Sequence, residues 1–140
     1  MTLRTGCILR ARSQSMSGGG SFSDHLFVSI MSLHTLNDGK TLDHRLTHDL
    51  YDEHWTVLAP PLKLLGDYYK RGLPWDDFVE RFNDYLHSPL AHEALLRLIF
   101  LARRQEVTIM CIEDSPHQCH RRLIAARCQE LAPDLEIIIE

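Results

Sequence analysis

The sequence predicts an α/β fold: one three-layer domain built on a small, mainly parallel sheet, with a C-terminal βαβ unit. Three observations carry this. Two short apolar runs, Leu26–Met31 and Val107–Ile112, lack polar alternation and so suit strands covered on both faces. A strand, a helical segment and a second strand follow one another within residues 107–139, the pattern of a parallel crossover unit. Finally, 140 residues that are 44% hydrophobic make a single domain, residues 1–140, able to bury an aliphatic core without staples.

The elements follow in order. Gly6–Arg10 reads as a first short strand. Residues 13–23, which include Ser17-Gly-Gly-Gly-Ser21, offer almost no apolar side chains and read as a flexible loop. Leu26–Met31 is the second strand. Residues 32–55 form a long polar loop rich in His and Asp, with a turn signal at Asn37-Asp-Gly39 and a short helix near Leu42–Leu50. A loop this long inside a compact domain is often functional.

Three helices follow. Pro60-Pro61 opens the first and Gly72 stops it. The second begins near Pro74, with Trp75, Phe78, Val79, Phe82 and Leu86 on one face and Asp76 and Asp77 at the positive end of the dipole. Ser88-Pro89 caps the third, which runs to about Gln105 and is apolar almost all round, so it is expected to be central. Val107–Ile112 is a buried strand, Ser115–Leu131 a helix ended by Pro133, and Leu135–Ile139 a final strand.

Fifteen basic and 19 acidic side chains leave a net charge of −4, which argues against phosphate-driven, nonspecific nucleic-acid binding. No secretory h-region and no apolar run of membrane-spanning length is visible, so neither a signal peptide nor a membrane partner is expected, and a cytoplasmic location is. In that setting Cys7, Cys111, Cys119 and Cys128 read as thiols, not as a disulfide framework. Arginine dominates lysine, 12 to 3, and its planar fork suits oxyanions.

Chemistry concentrates in Cys111-Ile-Glu113-Asp-Ser115-Pro-His-Gln-Cys119-His120-Arg121, a strand-to-helix turn at the sheet edge where α/β proteins bind ligands. Ser115 suits an N-cap, Pro116 the first helical position and Gln118 the return half of a capping box. Cys119, His120 and Arg121 would then lie in the first turns, where free N–H groups and the dipole favour anions and lower a thiol's pKa. On that reading Cys119 is a nucleophile, His120 its acid–base partner, Glu113 a base or an orienting group for His120, and Arg121 with Ser115 an anion clamp. The same spacing also fits plain packing, because His120, Ile124, Cys128 and Leu131 fall on one inward helical face.

Other constellations are weaker. His44, His48 and Asp52 recur at i, i+4 and i+8 with His54 nearby, but Arg45 stands where the zincin motif needs Glu, and a solvated loop explains the spacing as well. His117, Cys119 and His120 do not share one helical face, so no metal and no cofactor is assigned. Arg97, Arg103, Arg104, Arg121, Arg122 and Arg127 make the C-terminal third basic, yet no nucleic-acid motif, Walker loop or GxGxxG accompanies them.

The pattern Cys-x-Glu-x-x-Pro-x-x-Cys-His-Arg, matched at every position from Cys111 to Arg121, resembles the domain-of-unknown-function 488 (DUF 488) family, which includes YeaO-like proteins. Tyr51-Asp52, then Leu58-Ala-Pro60 and the Trp75-x-x-Phe78 arrangement, extends the likeness over about residues 24–140. The resemblance implies an α/β fold and a site near the Cys-His-Arg turn, adds Tyr51 and Asp52 as binding candidates, and implies no established reaction. Relatives usually carry arginine after the second strand. Here that stretch reads Ile30-Met-Ser-Leu-His34, and Arg45 is the loop residue that would compensate. Two functions stay open: an enzyme-like site for a small anionic or nucleotide-like ligand, and a noncatalytic module that binds phosphate or nucleic acid.

Overall fold

Five parallel strands form one sheet in the order β3-β2-β4-β1-β5. They are β1 (Thr2–Cys7), β2 (His25–Ser29), β3 (Glu53–His54), β4 (Glu106–Cys111) and β5 (Glu136–Ile138). The computed structural model describes residues 1–16, 25–36 and 38–140. Five α-helices among the described residues complete it: α1 (Ala11–Met16), α2 (Leu62–Arg71), α3 (Trp75–Leu86), α4 (Pro89–Ala102) and α5 (His120–Leu131).

The layers follow from side-chain alternation along the strands. Leu3 of β1, Val28 of β2 and Val107 and Ile109 of β4 point into the main core, where they meet Leu64, Phe82, Leu98 and Ile124 from α2 to α5. Phe27 and Met110 point the other way, into a smaller cluster with Ile8 and Ala11 at the start of α1. Gly6 permits that approach, since a Cβ there would lie 3.0 Å from the Ala11 Cβ. The result is the predicted three-layer α/β arrangement, with every strand pair parallel. The β4–α5–β5 unit is present, and β1 is inserted between its two strands.

The helix boundaries obey the punctuation in the sequence. Gly72 ends α2 in the left-handed region at φ 74°, and Pro74 and Pro89 open α3 and α4. The first strand lies earlier than expected, at Thr2–Cys7. Residues 13–16 belong to α1 where a flexible loop was expected, and the rest of that loop, residues 17–23, lies outside the described residues, as does Asn37 of the Asn37-Asp-Gly39 turn signal. Residues 32–55 are not featureless. They hold an isolated Thr35–Leu42 bridge, a 3-10 turn at His48–Leu50 and the short edge strand β3.

The topology places a crevice. The chain leaves β2 towards β3 at one edge and leaves β4 towards β5 at the other. Their connections diverge between two neighbouring strands, which opens a gap beyond the carboxyl ends of β2 and β4.

Candidate functional site

A cleft of about 420 Å³ occupies that gap. Met31 and Ser32 enter from the end of β2, Cys111, Ile112 and Glu113 from the end of β4, and His120 from the start of α5. Tyr69 and Lys70 of α2 and Lys40 of the polar segment close its far side.

His120 is held from three directions. Its Nε2 lies 2.8 Å from the Ile30 carbonyl, and its Nδ1 lies 3.8 Å from Cys111 Sγ. A carbonyl only accepts, so Nε2 carries the hydrogen and Nδ1 presents its lone pair to the Cys111 thiol. The ring stands edge-on to Phe82 of α3, with centroids 5.7 Å apart at 86°. The apolar face of α3, legible in the sequence, therefore packs the imidazole into place.

Hydrogen bonding from the neighbouring Cys119 thiol and the Glu113 backbone, with the Arg121 charge, favours the Cys111 thiolate. These outweigh burial and hold the Cys111 thiol below its ordinary range. Cys119 is the opposite case. Donating its proton to Cys111, together with burial, pushes its thiol well up. The helix start was expected to lower the Cys119 thiol, whereas its neighbour at the strand end is the acidified one. Cys119 is 2% exposed and does not line the cleft.

The turn itself differs from the predicted capping box. Cys119, not Ser115, is the residue before α5, and Ser115 Oγ accepts the His117 N–H at 3.2 Å in an exposed turn. Arg121 explains the late helix start. It is fully buried, and its guanidinium donates to the carbonyls of Glu113 (2.6 Å), Asp114 (3.3 Å) and Glu140 (3.2 Å), and to Cys119 Sγ at 3.6 Å. Those carbonyls fold residues 113–119 around the charge, which they must do because a buried cation without partners is very costly. Arg121 thus shapes the loop behind the cleft instead of projecting into it.

The other candidates separate. Glu113 lines the cleft and accepts the Tyr69 hydroxyl at 3.0 Å, and Tyr69, inside the cleft wall, has its phenol pushed up by burial and by the Glu113 charge. Asp52 accepts the Phe27 N–H at 2.8 Å and pairs with Arg12, pinning the polar segment to β2. Tyr51 hydrogen-bonds His48 at 3.2 Å and packs near His34 and His54. Arg45 forks onto Asp43 at 3.0 and 2.7 Å. Tyr51, Asp52 and Arg45 are not among the residues that line the cleft.

His44, His48 and Asp52 do not share a helical face, because residues 43–47 are turn and loop. The group of three metal-type ligands that does converge among the described residues is Cys111, Cys119 and His120, whose ligand atoms lie within 4.8 Å of one another. That spacing is near what a soft ion such as zinc requires. Sequence reasoning missed Tyr69, Lys40, Lys70 and the Ile30 carbonyl. Ile30 and Cys111 lie at the ends of two neighbouring strands, a signal that exists only once the strand order is known.

The family model for "Domain of unknown function DUF488" matches residues 40–128, well over half of the chain. The protein belongs to the DUF488 family. No curated protein and no solved structure matches the chain. In this DUF488 protein the matched region contains β4, the turn and most of α5, together with the α2 wall of the cleft. All four cysteines are free and buried, and among the described residues no helix is long and apolar enough to cross a membrane.

Proposed function

We propose that this DUF488 protein is a thiol-dependent enzyme of small molecules, with Cys111 as nucleophile and His120 as its proton acceptor. The observation that carries this reading is the relay from the Ile30 carbonyl through His120 to Cys111, opening on a cleft at the switch point of the sheet. A base hydrogen-bonded to a thiol and oriented by a third group is the arrangement nucleophilic catalysis requires. Cys119 supports Cys111 by donating to it and Arg121 by shaping the turn, so both act through the nucleophile.

The ligand class is small and anionic or nucleotide-like. Asp38 is already saturated by Thr41 and the Lys40 backbone, and Glu113 accepts from Tyr69. Lys40 and Lys70 are the cations of the cleft lining, set beside the Asp38 and Glu113 carboxylates. The alternative, a noncatalytic module that grips phosphate through Arg121, loses support because that guanidinium is fully buried and committed to carbonyls.

Brief iodoacetamide treatment followed by peptide mapping tests the proposal. Cys111 should be labelled ahead of Cys7, Cys119 and Cys128, and His120→Asn should slow that labelling at least about tenfold while the protein stays folded. Labelling of Cys119 before Cys111, or an unchanged rate in His120→Asn, would refute the nucleophile assignment.

A further inference from the structure

Cys119 has no role in the reading above beyond donating one hydrogen bond, yet its placement is specific. Its sulfur lies within 4.8 Å of Cys111 Sγ, behind it as seen from the cleft. Cys119 is extended (φ −135°, ψ 139°) and precedes the first turn of α5, so its side chain is not part of a helix face. Cys111 closes β4 on the opposite side of the turn. A disulfide needs the sulfurs at about 2.05 Å, which rotation of two terminal-residue side chains around a turn can supply more readily than movement of packed elements.

We propose that Cys111 and Cys119 form a dithiol redox centre, in which Cys111 reduces a small hydroperoxide entering the cleft and Cys119 resolves it as a disulfide. This rests on the reading of Cys111 as the nucleophile. The Cys111 thiolate attacks the terminal peroxide oxygen, forming an S–O bond and breaking the O–O bond. The departing oxygen takes the proton held by His120 and leaves as an alcohol, or as water from hydrogen peroxide. Cys119 then gives its proton to His120 Nδ1 and attacks the Cys111 sulfenic sulfur. The S–S bond forms, the S–O bond breaks, and the hydroxyl leaves as water with that proton. Two thiols and one hydroperoxide become one disulfide, one alcohol and one water.

The remaining cysteines are poor substitutes. Cys7 is in register with Cys111 on the adjacent strand, but its sulfur contacts the Ile112 carbonyl at 3.6 Å and lines a different cavity. Cys128 lies in the main core among the helices.

The test treats the reduced full-length protein with one equivalent of hydrogen peroxide and maps the products. The wild type should lose two hydrogens and yield a Cys111–Cys119 disulfide that dithiothreitol reverses. Cys119→Ser should stop at a Cys111 sulfenic acid trapped by dimedone, and Cys111→Ser should form no disulfide. A Cys7–Cys111 disulfide, or wild-type protein with oxidised Cys111 and reduced Cys119, overturns the proposal, and both results need no variant to fold. Selective alkylation of Cys111 without any Cys111–Cys119 disulfide would defeat this inference alone and leave the nucleophile assignment standing.

Discussion

The His120 Nε2 donates to the Ile30 carbonyl at 2.8 Å, a bond between residues 90 apart that ties the start of α5 to the end of β2. It fixes the imidazole tautomer and aims Nδ1 at Cys111. Replacing His120 by Ala should therefore cost about 1–3 kcal/mol in chemical denaturation, because the buried carbonyl loses its partner. It should also abolish the selective reactivity of Cys111. A His120→Ala protein as stable as wild type would show that the bond is incidental.

Arg121 should be the most sensitive position of the turn. Arg121→Met keeps an unbranched apolar stem but leaves the carbonyls of Glu113, Asp114 and Glu140 without this donor. We expect a loss of about 2–4 kcal/mol in urea unfolding. Arg121→Lys should recover only part of it, since one ammonium cannot reproduce a planar fork. Full recovery by Lys would mean that charge alone suffices.

His34 gives a pH signature. Burial, with His54 and His48 adding like charge, lowers its pKa to about 4, from an ordinary value near 6.5. The unfolded chain then binds more protons than the native protein between those values. Stability is fully present above pH about 6.5 and declines as pH falls towards 4. His25, also lowered, by burial first, contributes in the same direction. His34→Gln should flatten the slope of unfolding free energy across that window. An unchanged slope would remove His34 from the account.

Chelation separates two uses of the Cys111, Cys119 and His120 cluster. If the thiols act as free nucleophiles, treatment with a strong chelator should leave the Cys111 labelling rate unchanged. A chelator-dependent rise of tenfold or more, with one equivalent of zinc released, would instead make the cluster a metal site.

What the sequence reveals here depends on how local the determinant is. Gly72, Pro74 and Pro89 act through their own backbone, so α2, α3 and α4 can be read directly. The start of α5 cannot. Ser115, Pro116 and Gln118 carry a sound capping signature, but a buried guanidinium six residues beyond Ser115 draws the Glu113 and Asp114 carbonyls into its own coordination and delays the helix to His120. The Cys-His-Arg segment stands out in the sequence as the candidate site, yet a local helix-dipole argument favours Cys119. Only the parallel order β2-β4 brings the Ile30 carbonyl, His120 and Cys111 into one line. In the same way α1 has no apolar stripe to announce it, and the His44, His48 and Asp52 spacing suggests a helix that the turn at residues 44–45 does not form.

The pH dependence of Cys111 alkylation in the wild-type protein tests the central claim most directly. Site-resolved mass spectrometry should give Cys111 a midpoint clearly below the ordinary thiol value of about 8.5, with Cys119 unreactive until far higher pH. A Cys111 midpoint at or above that ordinary value, or Cys119 titrating first, would contradict it.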